Sequence, residues 1–341
     1  MMHLRRRQIG NTGLRVPVLG CGGATLGDSA GAIPEVQALS TLEAAYWAGI
    51  DYFDTSPWYG NGKSELRFGA VLRSKPRDSY VLSTKVGRIY SRCTDPSHPS
   101  QQRWRGGLPF APRFDYSRGG VLQAYEQSLV RLGVSSVDAL IIHDIDEVHQ
   151  NSAEGVEQRL TELSDGGGFE VLASMKTSGE ITAIGAGVNR LGMIPKFLHL
   201  FELDFFLLAM PYTLLCQDAL NEELPQCISR GVSIVVGAPF ASGILASGPV
   251  SGATYGYTLA SEDIVERVRG ITAVCERFGV PLGAAALQFP LGHPAVVSVI
   301  PGPSAPEQVR TNVRWLNHDI PVEFWEELKE RGLIRAEAPI P

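Results

Sequence analysis

Long apolar runs are missing from this sequence. None reaches the roughly 18 residues that a membrane span requires, and the basic Arg5-Arg6-Arg7 is followed by no apolar signal-peptide core. Neither export nor anchoring is signalled, so a cytoplasmic protein is expected. Cysteine is sparse, with 5 residues, at positions 21, 93, 216, 227 and 275. They form no CxxC pair and no metal-ligand spacing, which disfavours a disulfide framework; no metal is expected. An excess of positive charge is absent too. Lys and Arg number 30 against 36 Asp and Glu, a net charge of -6 that argues against a nucleic-acid surface. No GxGxxG fingerprint occurs, no convincing repeat is found, and composition does not shift along the chain.

What is present is the balance of a globular protein: 44% hydrophobic and 19% charged residues over 341 positions. The chain is organised around Asp54-Thr55-Ser56-Pro57-Trp58-Tyr59-Gly60, which ends an apolar run and leaves a carboxylate and a phenol close together. Two further apolar runs also end in one ionisable residue each, Tyr80 to Lys85 and Asp138 to His143.

Around them, apolar strand-like runs alternate with helical periodicity. A hairpin over residues 4 to 17, with Gly10-Asn11-Thr12-Gly13 as its turn, precedes a first strand at Val18-Leu19-Gly20 and the small-residue stretch Cys21-Gly22-Gly23-Ala24. Further strands are expected at Tyr52 to Asp54, up to Lys85, up to His143, and at Ile181 to Val188, Phe205 to Ala209, Ser233 to Gly237 and Val296 to Ile300. Ser117 and Ser261 are read as helix caps, and Ser304-Ala305-Pro306-Glu307 has capping-box spacing. Residues 86 to 116, rich in Arg, Pro, Ser and Gly, read as a pocket-covering loop, and 241 to 256 as a Gly-rich loop. Eight strands alternating with helices predict a single (β/α)8 TIM barrel over 1–341 with an N-terminal hairpin and an extra C-terminal helix. A doubly wound sheet is the competing architecture.

In a closed parallel barrel the C-terminal strand ends meet on one face, bringing Asp54, Lys85 and His143 to the Tyr59 loop. An ammonium beside a phenol pulls its pKa down from near 10, so Lys85 is expected to activate Tyr59, with Asp54 holding Lys85 and His143 donating to a substrate oxygen. This set moves a proton and contains no nucleophile of its own, which points to hydride exchange with a nicotinamide.

With Leu19 to Gly23, Asp54 to Tyr59, Lys85, His143, Val188-Asn189, Pro239 and Ile300-Pro301-Gly302, the sequence resembles the aldo-keto reductase superfamily over nearly its whole length. The resemblance implies a catalytic tetrad of Asp54, Tyr59, Lys85 and His143, with Asn189 holding the nicotinamide carboxamide. It implies a dinucleotide path over Gly22, Gly23, Ala24, Asp54, Asn189, Ala209, Gly237, Ala238, Pro239, Phe240, Ile300, Gly302, Ser304, Gln308 and Asn312. Ala209 and Gly237 stand where many members carry Gln and an aromatic against the nicotinamide, so the grip on the ring differs here. Gly302 and Gln308 replace the Lys and Arg of NADP-preferring members, and Glu307 would repel a 2′-phosphate at that helix start, so NAD is expected over NADP.

Phe114 to Arg118, His143 to Asp146, Pro211 to Leu215 and the tail from Leu333 resemble bacterial NAD-linked aldose dehydrogenases, which oxidise L-fucose, L-galactose or D-arabinose to a lactone, and pyridoxal 4-dehydrogenases nearly as well. Trp58, Arg88, Tyr90 and Asp144 are the expected substrate-pocket residues. The alternatives are a general aldehyde or ketone reductase, or a nicotinamide-binding regulatory subunit such as those of potassium channels. A small-molecule substrate is expected, with no nucleic-acid or membrane partner.

Overall fold

The computed structural model describes residues 4–341 apart from 30, 96, 99, 101, 102 and 105. Its centre is an eight-stranded parallel sheet in the order β3 (Cys21–Gly22), β4 (Tyr52–Asp54), β5 (Val81–Val86), β8 (Ala139–Ile142), β9 (Ala183–Val188), β10 (Phe205–Ala209), β11 (Ser233–Gly237) and β14 (Val296–Ile300). The two ends meet: Leu19 bridges Val299, and the Gly20 and Gly22 N–H groups donate to Val299 O and Pro301 O, both at 2.9 Å. The sheet is therefore a nearly closed (β/α)8 barrel with helices around it.

Side chains along a strand alternate between the two faces. Phe53, Leu82, Leu140 and Ile142 point outward into the large cluster beneath the helices, whereas Tyr52, Val81, Ala139 and Ile141 fill the barrel interior. The same alternation carries Asp54, Ser83, Lys85 and His143 to the inner face at the C-terminal end. The opposite end is stopped by the hairpin of β1 (Arg6–Gln8) and β2 (Arg15–Pro17), whose Ile9, Leu14 and Val16 join the interior cluster.

Several elements differ from the sequence reading. The segment 86–116 is not loop throughout: β6 (Arg88–Arg92) and β7 (Phe110–Phe114) pair antiparallel, while positions 96, 99, 101, 102 and 105 of that expectation lie outside the described residues. The region 241–256 holds the short helix Ile244–Ser247 and β12 (Thr254–Tyr255), which pairs with β13 (Thr258–Leu259). Leu282–Gln288 is a helix that was not foreseen. Ser117 accepts from the Gly120 N–H as expected, but Ser261 makes no side-chain cap bond. At the last barrel helix, Pro306–Leu316, the cap is Ala305 and no Ser304–Glu307 box forms; instead Gln308 Oε1 accepts from the Ser304 N–H at 2.7 Å.

Candidate active site

Strand pairing sets the geometry. Lys85 Nζ donates to Asp54 Oδ1 at 2.6 Å and to Thr55 O at 2.7 Å, and Ser83 Oγ donates to Asp54 Oδ2 at 2.7 Å. The Lys85 ammonium lies 4.8 Å from the centre of the Tyr59 ring, and the His143 ring stands edge-on to that ring at 6.0 Å. Asp54, Lys85 and His143 are buried; Tyr59 is half-buried. All four residues therefore gather at the C-terminal mouth of the barrel.

The electrostatics differ in one respect from the expectation. Desolvation, reinforced by Asp54, Asp144 and Tyr257, raises the Tyr59 phenol well above its ordinary value, with Arg88 opposing. Lys85, paired with Asp54 at 2.6 Å, does not offset this rise. Burial likewise raises the Asp54 carboxyl against the opposing pull of Lys85 and Ser83. His143 is held well below its usual value by burial, against the pull of Asp144 and with Lys85, Arg88 and His149 adding to the effect, so the imidazole is neutral near pH 7.

Asp144 adopts a left-handed backbone, φ +58°, and turns its carboxylate back to the site. Its Oδ2 accepts from Arg88 Nη1 at 2.6 Å, and its Oδ1 lies 3.4 Å from both His143 Nε2 and Asn189 Nδ2. Burial resists its ionisation, but His143, Arg88 and His149 overcome this and hold the carboxyl well below the usual range. Arg88 is sandwiched between the rings of Trp58, at 4.6 Å, and Phe114, at 4.4 Å. Of the expected pocket residues, Trp58, Arg88 and Asp144 thus come together at the mouth.

Tyr90 does not. Its backbone is clasped by Gln127, and its ring lies 5.6 Å from the Arg131 guanidinium on the helix side of the barrel. Both of these partners lie on the helix Arg118–Leu132, away from Trp58 and Tyr59. Sequence reasoning missed Ser56 and Ser83, although Ser83 is two residues before Lys85 and so shares its face. It also missed Trp104, whose ring meets Trp58 at 5.5 Å and Tyr59 at 6.1 Å from within the 86–116 segment. No local pattern marks Trp104.

Apart from Asp54 at the end of β4, the expected cofactor residues lie along the arc of the rim formed by β9, β10, β11, β14 and β3, which are consecutive in the barrel. Asn189 follows β9, and Ala209 and Gly237 sit side by side at the ends of β10 and β11. Ala238 has a left-handed backbone, Pro239 follows, and Phe240 stacks edge-on to Trp315 at 5.6 Å. Ile300, Gly302, Ser304, Gln308 and the buried Asn312 continue the arc onto the helix Pro306–Leu316. Gly22 and Gly23 have a reason beside ligand approach: a Cβ on Gly22 would lie 2.8 Å from Ile300 O, and one on Gly23 2.9 Å from Asp54 O. Ala24 leads into a turn over Thr25–Gly27. Glu307 accepts from Arg310 at 2.8 Å and from Arg314 at 3.3 Å.

A pyridoxal 4-dehydrogenase from Microbacterium luteolum is 40% identical, covering 98% of this chain and 100% of that protein. A D-threo-aldose 1-dehydrogenase from a Pseudomonas species is 35% identical over 94% of this chain and 96% of its own length. The fold matches the solved structure of an aldo-keto reductase from Bacillus halodurans, holo form, with a TM-score of 0.75, 24% identity and 98% of each chain covered. The family model for aldo/keto reductases matches residues 18–332, and the chain belongs to that family.

Proposed function

We propose that this protein is an NAD-linked dehydrogenase that oxidises the hemiacetal carbon of a cyclic substrate to a lactone. The observation that carries the reading is the buried Asp54–Lys85 pair at 2.6 Å beneath the Tyr59 ring, with a neutral His143 across the same mouth. In this step the hemiacetal carbon loses hydride, a C=O bond forms, and the hydroxyl proton passes to the Tyr59 oxygen. Lys85 stabilises the phenolate as it acts, Asp54 and Thr55 O fix Lys85, and His143 donates a hydrogen bond to the reacting oxygen.

A nicotinamide supplies the hydride acceptor when bound. The donor set suits a dinucleotide without a 2′-phosphate. Asn189, Ser304, Gln308 and Asn312 are neutral, and at the far end the guanidinium groups of Arg310 and Arg314 are both engaged by Glu307. Trp104 against Trp58 and Tyr59 supports a covering role for the 86–116 segment, closing the mouth to water. No described helix is long and apolar enough to cross a membrane, and all five cysteines are free, which supports a cytoplasmic setting.

Two substrate classes share this chemistry. The 40% identity to a pyridoxal 4-dehydrogenase favours pyridoxal, and the 35% identity to an aldose 1-dehydrogenase favours a sugar such as L-fucose, L-galactose or D-arabinose. NADH formation is to be followed by absorbance with each compound, and with NADP in place of NAD. Turnover of at least one with NAD is expected. No turnover of any, or a clear preference for NADP, would sink the reading.

A further inference from the structure

His143 Nδ1 faces two groups, a guanidinium that can only donate and a hydroxyl that is free to donate. Ser56 Oγ lies 3.2 Å away and already accepts from the Trp58 N–H at 3.1 Å, so its proton is free for the imidazole. Arg88 Nη1 lies 3.4 Å away, and a guanidinium has no acceptor. A neutral imidazole carries one N–H and one lone pair, so converging donors on Nδ1 place the lone pair there and the proton on Nε2. Nε2 in turn lies 3.4 Å from Asp144 Oδ1, an acceptor when ionised, near enough to favour a proton on this side but without a hydrogen bond that would hold it from a substrate. The two sides of the ring thus demand the same tautomer.

We propose, on the basis of the function above, that Arg88 and Ser56 are positioning residues that lock His143 as its Nε2–H tautomer and so aim a donor at the substrate oxygen. The opposite tautomer would present a lone pair to that oxygen and lose the hydrogen bond. Protonation of Nδ1 would set N–H against the Arg88 guanidinium, which agrees with the depressed basicity of this ring. Arg88 thus lies at the mouth as a pocket residue whose charge is engaged by the protein itself. Its charge is spent on Asp144, and its planar face is clamped between Trp58 and Phe114. The titratable and charged groups facing the imidazole are Tyr59, Lys85, Arg88, Asp144 and His149.

The test is nitrogen-15 NMR of the histidine side chains in the intact protein, with the His143 signals identified by their loss in His143→Gln. In the unsubstituted protein, Nδ1 is expected to be unprotonated and Nε2 protonated across neutral pH. Arg88→Met with Ser56→Ala should give a tautomer mixture and a His143 pKa moved back toward its ordinary value; Arg88→Lys, which keeps a donor without an acceptor, should preserve the tautomer. Turnover in the double variant should fall about ten- to a hundredfold in kcat with KM changed less. A proton on Nδ1 in the unsubstituted protein would overturn the proposal even if no variant folds, as would an unchanged tautomer and pKa in the double variant. The NMR measurement needs no substrate. An Nε2–H ring in a protein that oxidises nothing would therefore refute the proposed function alone, and NADH formation by a protein with an Nδ1–H ring would refute this assignment alone.

Discussion

Tyr59 is where desolvation and charge compete most directly. Its phenol is raised above its ordinary value, so below that pKa the base form grows about tenfold per pH unit. Oxidation draws on the phenolate and reduction on the phenol. kcat/KM for oxidation should therefore rise across about pH 7 to pH 9, while that for the reverse reduction does not rise. A flat oxidation profile over that window would contradict the phenol as base. Tyr59→Phe should lower turnover by about 10²- to 10⁴-fold while leaving NAD affinity nearly unchanged, because the hydroxyl acts on the substrate oxygen. Equal loss of affinity, measured by titration calorimetry, would assign it to the cofactor instead. The identity of these side chains was legible because each closes an apolar run or follows one directly. Their ionisation was not, since it depends first on burial and then on the carboxylates around the phenol, one of them 2.6 Å from Lys85. The contact of Tyr90 with Gln127 and Arg131 was not legible either, because it joins residues 37 or more positions apart.

The elements that frame the cofactor arc carry the choice between NAD and NADP. At the helix Pro306–Leu316, Glu307 ties up Arg310 and Arg314 on an exposed surface. Glu307→Gln should release both guanidinium groups at a helix start and raise NADP affinity about tenfold, with little change for NAD. An unchanged affinity ratio by calorimetry would mean the adenosine end lies elsewhere. Building a Lys at position 302 is a poorer route, because a Cβ there meets Thr25 Oγ1 at 2.7 Å. Seven of the eight strands were readable as apolar runs, which buried parallel strands share; the first, expected at Val18-Leu19-Gly20, is instead the two residues Cys21–Gly22, with Leu19 only bridging Val299. The β6–β7 pair was not readable. Its strands lie far apart in the sequence, and Arg88, Arg92, Pro112 and Arg113 disguise them as loop. The Ser304–Glu307 box failed for a local reason: Pro306 takes the first helical position and Gln308 turns back to Ser304.

The whole barrel depends on a narrow seam. β3 has only two residues, and closure onto β14 runs through Leu19, Gly20 and Gly22. Gly22→Ala should place a Cβ 2.8 Å from a backbone oxygen that cannot step aside. A loss of about 1–3 kcal/mol is expected, read as a melting temperature lowered by several degrees. An unchanged melting temperature would show that the seam yields. That closure was implied by the strand count, whereas the fit of Gly22 against Ile300 is a long-range contact that no local pattern reveals.

The central chemical claim is that hydride leaves the hemiacetal carbon for a nicotinamide at this mouth. It is tested most directly with pyridoxal or an aldose deuterated at that carbon. Deuterium in the reduced nicotinamide, together with a lactone product, is the predicted result; deuterium released to water, or a product that is not a lactone, would contradict it.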